Sequence, residues 1–138
     1  MNKIIFNHWN EEKQNLHFAK SNNVYPKNRE IWYTKTGINI GCEENGKKNF
    51  LRPVLVLKKV GNLFFVASLT TKGKDNHYFY HKINAKNFNY QNKKHADTSY
   101  IILSQVRVMD KKRFTENIGF VAKKEFAHIQ EKLKTILF

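Results

Sequence analysis

Two apolar runs joined by a short turn constrain the fold more than any other feature of the sequence. The runs read RPVLVLKK (52–59) and LFFVASLT (63–70), and the turn between them contains Gly61 and Asn62. Each run has the length and the β-branched or aromatic content of a buried strand. A glycine and an asparagine between two such runs are a strong hairpin signal. The sequence therefore predicts an antiparallel β-hairpin.

The rest of the chain predicts a mainly β domain with a helix at each end. Further strands are indicated by REIWYTK (29–35), HYFYHKI (77–83) and SYIILSQVRVM (99–109), whereas DKKRFTENIG (110–119) is typical of a turn region. Apolar residues at helical spacing predict an N-terminal helix over 5–19 and a C-terminal helix over 126–136. Five or so antiparallel strands of this kind suggest a small barrel or a strongly curved sheet.

We expect a single folded domain at 29–138, preceded by a helical extension and linker at 1–28. The length of 138 residues leaves little room for a second core. In the extension, Ile5 and Trp9 are apolar side chains that need cover, so we expect its helix to pack against the domain or against a dimer.

The charge balance leaves two interpretations open. A net charge of +14 favours a polyanionic partner, and nucleic acid first. Only four of the 25 basic residues are arginine, however, and an AT-rich genome produces such a bias without functional pressure. One cysteine, Cys42, excludes an intramolecular disulfide, and no apolar run approaches the ~20 residues of a membrane-spanning helix. We therefore expect a cytoplasmic protein with no membrane contact.

The sequence has no pattern typical of a metal or cofactor site. Its six histidines are scattered over every predicted element, and it contains no phosphate-binding glycine loop or nucleophile elbow. We expect no metal and no cofactor, and we interpret Cys42 as an incidental thiol.

The hairpin brings together one candidate set of polar residues. Arg52 opens the first strand, whereas Thr70 and Thr71 close the second. Because the start of one strand lies beside the end of the next in a hairpin, these side chains should meet at one end of the sheet. A guanidinium with a hydroxyl beside it suits a phosphate group. The alternative is that Arg52 is a solvated strand-end charge and that the threonines are good β-formers.

Four stretches carry a resemblance to a known family. In chain order they are REIWYTKTGINIGCE, LRPVLVL, VASLTTK and SYIILSQVRVMDKKRF. In this order, and followed by a C-terminal helix, they resemble the MazF/PemK toxins of type II toxin–antitoxin systems. The resemblance begins near Arg29 and extends to the C-terminus. It implies an SH3-like curved antiparallel barrel of the MazF/PemK/CcdB type and a likeness to homodimeric, metal-independent endoribonucleases that cleave single-stranded RNA.

The resemblance also implies roles for individual residues. Arg52 corresponds to the arginine of the family's RPVLV motif, Thr70 to the threonine that closes the next strand, and Glu43 to a loop glutamate. Arg52 would then stabilise the pentavalent phosphate during attack by the RNA 2′-hydroxyl, and Thr70 would hydrogen-bond it. General acid–base duty would fall to Glu43, to water or to a group that the sequence does not identify, because arginine is a poor proton donor. The products would be a 2′,3′-cyclic phosphate and a 5′-hydroxyl.

A second group of residues is expected to contact RNA. Lysines in the two loops beside the proposed site could follow the RNA backbone, and loop amides could contact bases. The residues proposed for RNA contact, including those of the family's SQVR motif, are Asn39, Lys47, Lys48, Lys72, Lys74, Gln105 and Arg107.

The family resemblance implies a cognate antitoxin, expected to be small, acidic and partly disordered. Two alternatives on the same fold stay open at this point. One is a CcdB-like toxin that binds gyrase and has no nuclease activity, and the other is a non-catalytic RNA-binding module.

Overall fold

The computed structural model describes residues 2–40, 45–46, 48–84 and 98–138. The two helices are α1 (Lys3–Phe18) and α2 (Lys123–Leu137). The strands are β1 (Glu30–Lys35), β2 (Leu51–Val60), β3 (Leu63–Thr70), β4 (Tyr80–Asn84), β5 (Thr98–Asp110) and β6 (Phe114–Phe120).

The six strands form one antiparallel sheet in the order β4-β5-β3-β2-β1-β6. The predicted hairpin is confirmed, because β2 pairs with β3 around the turn at Gly61. The prediction of a mainly β domain with a helix at each end is also confirmed. Among the described residues β4 and β6 are the edge strands, so the sheet is curled but is not closed into a barrel by their pairing.

The interpretation of 110–119 as a turn region was wrong. This segment forms a short 3-10 turn, Lys111–Arg113, and then most of β6, which pairs with β1. The pairing contains two register shifts, and Phe114 and Ile118 pack into different core clusters although they are four residues apart. Bulges break the period of two that identifies a strand in a sequence, which explains why the pattern concealed β6.

The predicted strand at 77–83 begins three residues later than expected, at Tyr80. His77 forms a turn instead, because its carbonyl accepts the amide of Tyr80 and its ring Nδ1 accepts the amide of Phe79. The polar stretch NAKNFNYQNKKHAD (84–97), which has neither a strand nor a helix pattern, lies outside the described part of the chain from residue 85 onward.

Both faces of the sheet are covered. On one face, α2 packs Phe126, Ile129 and Leu133 against a cluster that includes Leu55 and Ile101. The other face carries a second cluster, against which Val24 of the segment after α1 packs; its buried members are Trp32, Val54, Val56, Phe64, Val66, Met109 and Phe114. Because Val54 and Leu55 belong to different clusters, β2 is buried from both sides, and it provides a rigid base for the residue at its start.

The N-terminal helix docks through one large side chain. Among the residues of α1, all of which the structure describes, Trp9 alone is buried, at 6% exposure. Ile5 stays 40% exposed, so the expectation that it is covered fails within the single chain. No helix in the described part of the chain is both long and apolar enough to cross a membrane.

A buried histidine joins α2 to the edge strand β4. His81 Nε2 lies 2.6 Å from Glu125 Oε1, and the ammonium of Lys132 lies 2.8 Å from His81 Nδ1. Lys132 can only donate, so Nδ1 accepts and the proton of a neutral imidazole lies on Nε2. Burial lowers the pKa of His81, and the Lys132 and His128 charges act in the same direction, against the opposing effect of Glu125.

This arrangement predicts that acid destabilises the fold through His81. Its pKa is lowered in the folded state, so the unfolded chain binds the proton more readily. The stabilisation is fully present above the unfolded pKa, about 6.5, and is lost as pH falls through the folded pKa. Urea unfolding of the wild type between pH 7 and pH 5 should therefore show a decline that His81→Gln reduces. His17→Gln, on an exposed position of α1, is the control, and identical pH profiles for wild type and His81→Gln would contradict the assignment.

Candidate active site

The register of the sheet aligns the two residues that the sequence proposed to meet. Arg52 of β2 pairs with Thr34 of β1, and Val54 pairs with Ser68 of β3. Continuing this register by two residues puts Arg52 across from Thr70, and Thr70 in turn pairs with Tyr100 of β5. Since directly opposed residues point to the same face of a sheet, Thr34, Arg52, Thr70 and Tyr100 form one row across four strands. We refer to this row as the strand-end row.

Arg52 is the charged member of the strand-end row, and it is buried. The residue is only 5% exposed, so it is not the solvated strand-end charge that the sequence left open as an alternative. Its Nε donates to the carbonyl of Asn45 at 2.5 Å, and its Nη1 donates to the carbonyl of Leu69 at 2.9 Å. Two carbonyls on different segments fix the plane of the guanidinium and therefore the directions of all its N–H bonds.

Two buried threonines lie on the other side of Arg52. Thr34 Oγ1 is 2.9 Å from Thr36 Oγ1 and 3.3 Å from the Arg52 carbonyl. Both residues are essentially inaccessible to solvent. These hydroxyls hold the end of β1 against the start of β2, and sequence reasoning missed them because threonine is also an ordinary β-former. The available signal was the repetition of threonine in TKTG, directly after the first predicted strand.

The loop between β1 and β2, residues 36–50, contacts Arg52 through Asn45. The Asn45 side chain accepts the backbone amide of Asn39 at 2.5 Å, while its carbonyl accepts from Arg52. Asn39 also donates its side-chain amide to the Thr36 carbonyl at 3.4 Å. Thus Asn39, a proposed RNA-contact residue, lies one contact away from Arg52, and Asn45 is a site residue that the sequence did not suggest.

The end of this loop has an unusual backbone. Asn49 and Phe50 both have positive φ angles, of 57° and 61°, directly before β2. A left-handed conformation is unfavourable for a bulky residue such as phenylalanine, and it persists only where the surroundings hold it. The strain lies two residues from Arg52.

The other flank of the site is formed by the turn after β3. Thr70 is half-buried and Thr71 is exposed, and Thr70 Oγ1 accepts the backbone amide of Lys72 at 3.1 Å. Lys72 and Lys74 are exposed beyond it, as expected for side chains that could meet a polyanion.

Tyr100, next to Thr70 in the strand-end row, is joined to two charged groups. Its hydroxyl donates to Asp75 Oδ1 at 2.7 Å, and Lys82 Nζ lies 3.4 Å from the same oxygen. The hydrogen bond from Tyr100 lowers the pKa of Asp75, with a further contribution from Lys82, and the same bond raises the pKa of Tyr100. Tyr100 is therefore a hydrogen-bond donor here rather than a base.

The structure does not bring every proposed residue to this place. Arg107 pairs with Val66, which in turn pairs with Val56, and Val56 is four residues along β2 from Arg52. At about 3.3 Å per residue that separation is roughly 13 Å. Gln105 lies in the irregular part of the β3–β5 pairing, between Ile101 and Val106. Neither residue joins the strand-end row.

Three of the proposed residues cannot be placed as side chains. Glu43 and Lys47 lie outside the described residues, and for Lys48 only the backbone, at the start of the 3-10 turn before β2, is described. Among the residues that the structure does describe, no three histidine, cysteine or acidic side chains cluster as metal ligands would.

A curled antiparallel sheet with a C-terminal helix is also the fold of solved structures of MazF toxins. The structure of MazF from Deinococcus radiodurans matches with a TM-score of 0.61 at 17% identity, over 83% of this chain and 98% of that one. Mycobacterium tuberculosis toxin MazF-mt6 matches with a TM-score of 0.58 at 15% identity, over 79% and 96%. An endoribonuclease in complex with its cognate antitoxin, from a mycobacterial species, matches at 0.57 and 14%, over 82% and 95%.

At these identities the structural matches establish the fold. The sequence profile of the PemK-like, MazF-like toxins of type II toxin–antitoxin systems matches residues 27–137. The chain therefore belongs to this toxin family. A comparison with curated protein sequences gave no match. The matched region begins after α1.

Proposed function

We propose that this toxin is an endoribonuclease that cleaves single-stranded RNA at short sequence motifs without a metal ion. The observation that carries the proposal is the strand-end row, in which a guanidinium of fixed orientation lies across from Thr70. Family membership supports the proposal, as does the fold shared with a mycobacterial endoribonuclease.

The proposed chemistry uses the nucleophile that RNA itself provides. The 2′-hydroxyl oxygen attacks the adjacent phosphorus, and the bond from phosphorus to the 5′-oxygen of the next nucleotide breaks. The products are a 2′,3′-cyclic phosphate and a 5′-hydroxyl. Arg52 is charged at every physiological pH, so it stabilises the extra negative charge of the pentavalent phosphate. Thr70 hydrogen-bonds the same phosphate and Thr71 provides a neighbouring hydroxyl, while Glu43 or water moves the protons.

The burial of Arg52 adds a condition to this scheme. Because Arg52 is only 5% exposed, its guanidinium contacts a phosphate only if a neighbouring segment of the chain moves away. The Asn45 carbonyl, which accepts from Nε, is the contact that a phosphate oxygen would replace, because both are acceptors for the same N–H. The Leu69 carbonyl lies in β3 and keeps the guanidinium oriented while the phosphate oxygen replaces the Asn45 carbonyl.

The flanks of the site supply the proposed RNA contacts. Lys72 and Lys74, on the Thr70 side, follow the RNA backbone together with Lys47 and Lys48 of the opposite loop, and such contacts weaken steeply with salt. Asn39 contacts an unstacked base. Gln105 and Arg107 contact RNA away from the cleaved phosphate, since they lie outside the strand-end row.

The proposed partners follow from the same family. A cognate antitoxin, small and acidic, binds a surface of net charge +14 and neutralises the toxin. Relatives in complex with antitoxins include MazE-MazF of Deinococcus radiodurans, which shares this fold at 15% identity and a TM-score of 0.56. We further propose that the toxin is a cytoplasmic homodimer.

Incubation with a long RNA tests the proposal directly. The purified protein should cut the RNA at a small set of sites, equally well with and without EDTA, and should leave 5′-hydroxyl ends. Loss of cleavage in EDTA would contradict the metal-independent scheme. Absence of cleavage at every sequence would favour the gyrase-binding or RNA-binding alternatives.

Removing one hydroxyl tests the role of Thr70. Thr70→Val keeps the shape of the side chain but not its hydrogen bond to the phosphate, so kcat should fall by about a hundredfold, as for the loss of one donor to a charged transition state. Thr115→Val is a matched control, since Thr115 is an exposed threonine on β6 whose hydroxyl donates to the Tyr33 carbonyl at 3.1 Å. Equal kcat values for Thr70→Val and the control would remove Thr70 from the mechanism.

A further inference from the structure

Trp9 connects helix α1 to the loop that carries Asn45. Its indole lies 5.3 Å from the Phe50 ring, centroid to centroid, and it packs so closely over Gly37 that a Cβ there would overlap it. The guanidinium of Arg113 lies 5.9 Å from the indole centroid and donates to the Lys35 carbonyl. Gly37 and Phe50 lie at the two ends of the β1–β2 loop, so the Trp9 indole covers both ends of this loop.

Two polar contacts hold α1 in the same place. Glu12 forms an ion pair with Lys35 at 3.0 Å, and the Lys35 ammonium also donates to the carbonyl of Asn49 at 3.0 Å. Near the end of the helix, Lys112 donates to the carbonyl of His17 at 2.9 Å. The first of these links α1 to the C-terminal end of the loop through a single lysine.

The backbone contacts beneath Trp9 define a loop stem, residues 37, 46 and 50. The Gly37 amide donates to the Phe50 carbonyl at 3.1 Å, and the Gly46 amide donates to the Gly37 carbonyl at 2.6 Å. A Cβ on Gly46 would overlap the backbone of Phe50, so these three residues are in close contact. Phe50 holds its left-handed conformation within this cluster, where Trp9 packs against its ring.

The loop stem leads to Arg52 by two short routes. Along one, Gly46 follows Asn45, whose carbonyl accepts from Arg52 Nε. Along the other, Phe50 precedes Arg52 by two residues of backbone. A change in the φ angle of Phe50 would therefore re-aim the start of β2, and even about 1 Å of misplacement can cost an enzyme a hundredfold in rate.

We propose that Trp9 is a positioning residue for RNA cleavage, which it supports by fixing the loop stem and through it the guanidinium of Arg52. This inference rests on the proposed endoribonuclease function. Trp9 belongs to neither core cluster, so its effect should fall on the loop more than on the fold.

Substitution of Trp9, with measurements of both turnover and hydrogen exchange, tests this role. Trp9→Ala should lower kcat for an oligonucleotide substrate by about tenfold to a hundredfold, with a much smaller change in KM. Exchange at the Gly37 and Gly46 amides should quicken, because these are the hydrogen bonds of the stem. Trp9→Phe, which keeps a ring over Phe50, should recover most of the turnover. Phe18→Ala is the matched control, since it removes an aromatic ring of α1 that is 81% exposed, and it should match the wild type.

The two readouts separate this inference from the proposed function. If the wild type cleaves no RNA, the proposed function fails, while quicker exchange in Trp9→Ala still shows that the indole holds the stem. A Trp9→Ala protein that cleaves as fast as the wild type, or faster, overturns the positioning role, as does unchanged exchange at Gly37 and Gly46. If Trp9→Ala does not fold, Trp9→Leu, which removes the ring but keeps an apolar side chain, decides: quicker stem exchange than in Phe18→Ala supports the role, and equal exchange overturns it.

Discussion

Arg52→Lys is expected to lower kcat for RNA cleavage by about a thousandfold, within the range found when a transition-state arginine or oxyanion donor is removed. Lysine keeps the charge but loses the planar fork of donors. In the structure that fork reaches the carbonyls of Asn45 and Leu69, on two different segments. A single ammonium cannot donate to both of these carbonyls while it also contacts a phosphate. Initial rates on a cleavable oligonucleotide in EDTA measure the effect.

This comparison requires controls for folding and for charge. Truncation to alanine would remove the guanidinium that donates to two carbonyls, of which that of Leu69 is buried, and the loss of a donor to a buried acceptor costs about 1–3 kcal/mol, so lysine is the better substitution. Lys124→Ala removes an exposed charge on α2 far along the chain from the site and should leave kcat unchanged. Wild-type turnover by a folded Arg52→Lys protein would show that the guanidinium does not act in the reaction.

Gly37→Ala is expected to lower the free energy of unfolding by about 3 kcal/mol, the sum of two effects. The φ angle of Gly37 is +74°, where an L-residue costs about 1–2 kcal/mol. The new methyl group would also overlap the Trp9 indole, and overpacking typically costs about 1–3 kcal/mol. Urea unfolding of Gly37→Ala and of the wild type measures this difference in the free energy of unfolding.

A substitution at a second glycine separates the backbone cost from the loss of unfolding free energy that is due to overlap with Trp9. Gly61, in the turn between β2 and β3, has a φ angle of +63°, but nothing lies within 4 Å of a Cβ built there. Gly61→Ala should therefore lose only about 1 kcal/mol, the backbone cost alone. Equal losses in the two variants would mean that the indole moves away at no cost, and that the contact between α1 and the loop is weak.

The parts of the fold that follow a simple period were predictable from the sequence. The hairpin around Gly61 was predictable from two apolar runs and the turn between them, although its pairing contains a register shift after Val56. The helix bearing Phe126, Ile129 and Leu133 was predictable from apolar spacings of three and four, and both elements are confirmed. β6 was not predictable, because its register shifts against β1 place Phe114 and Ile118 in different core clusters. A pattern read from sequence assumes that a strand keeps one face, and a bulge breaks that assumption.

The candidate site was likewise only partly predictable from the sequence. The placement of Arg52 beside the end of β3 could be predicted, because antiparallel pairing relates strand starts to strand ends. The contact of Arg52 with Asn45 could not, since Asn45 approaches only through the path of the loop. The contact of Trp9 with Gly37 is equally hidden from sequence, because nothing in the spacing of residues 9 and 37 relates a helix to a loop end.

The most direct test of the proposed mechanism removes one oxygen atom from the substrate. An RNA oligonucleotide that the toxin cuts at a single mapped bond is compared with the same oligonucleotide carrying a 2′-deoxyribose on the 5′ side of that bond. If the 2′-hydroxyl is the nucleophile and Arg52 and Thr70 only position and stabilise, the substituted bond stays intact in EDTA while the unsubstituted one yields a 2′,3′-cyclic phosphate. Cleavage of the deoxy-substituted bond would contradict the proposed mechanism.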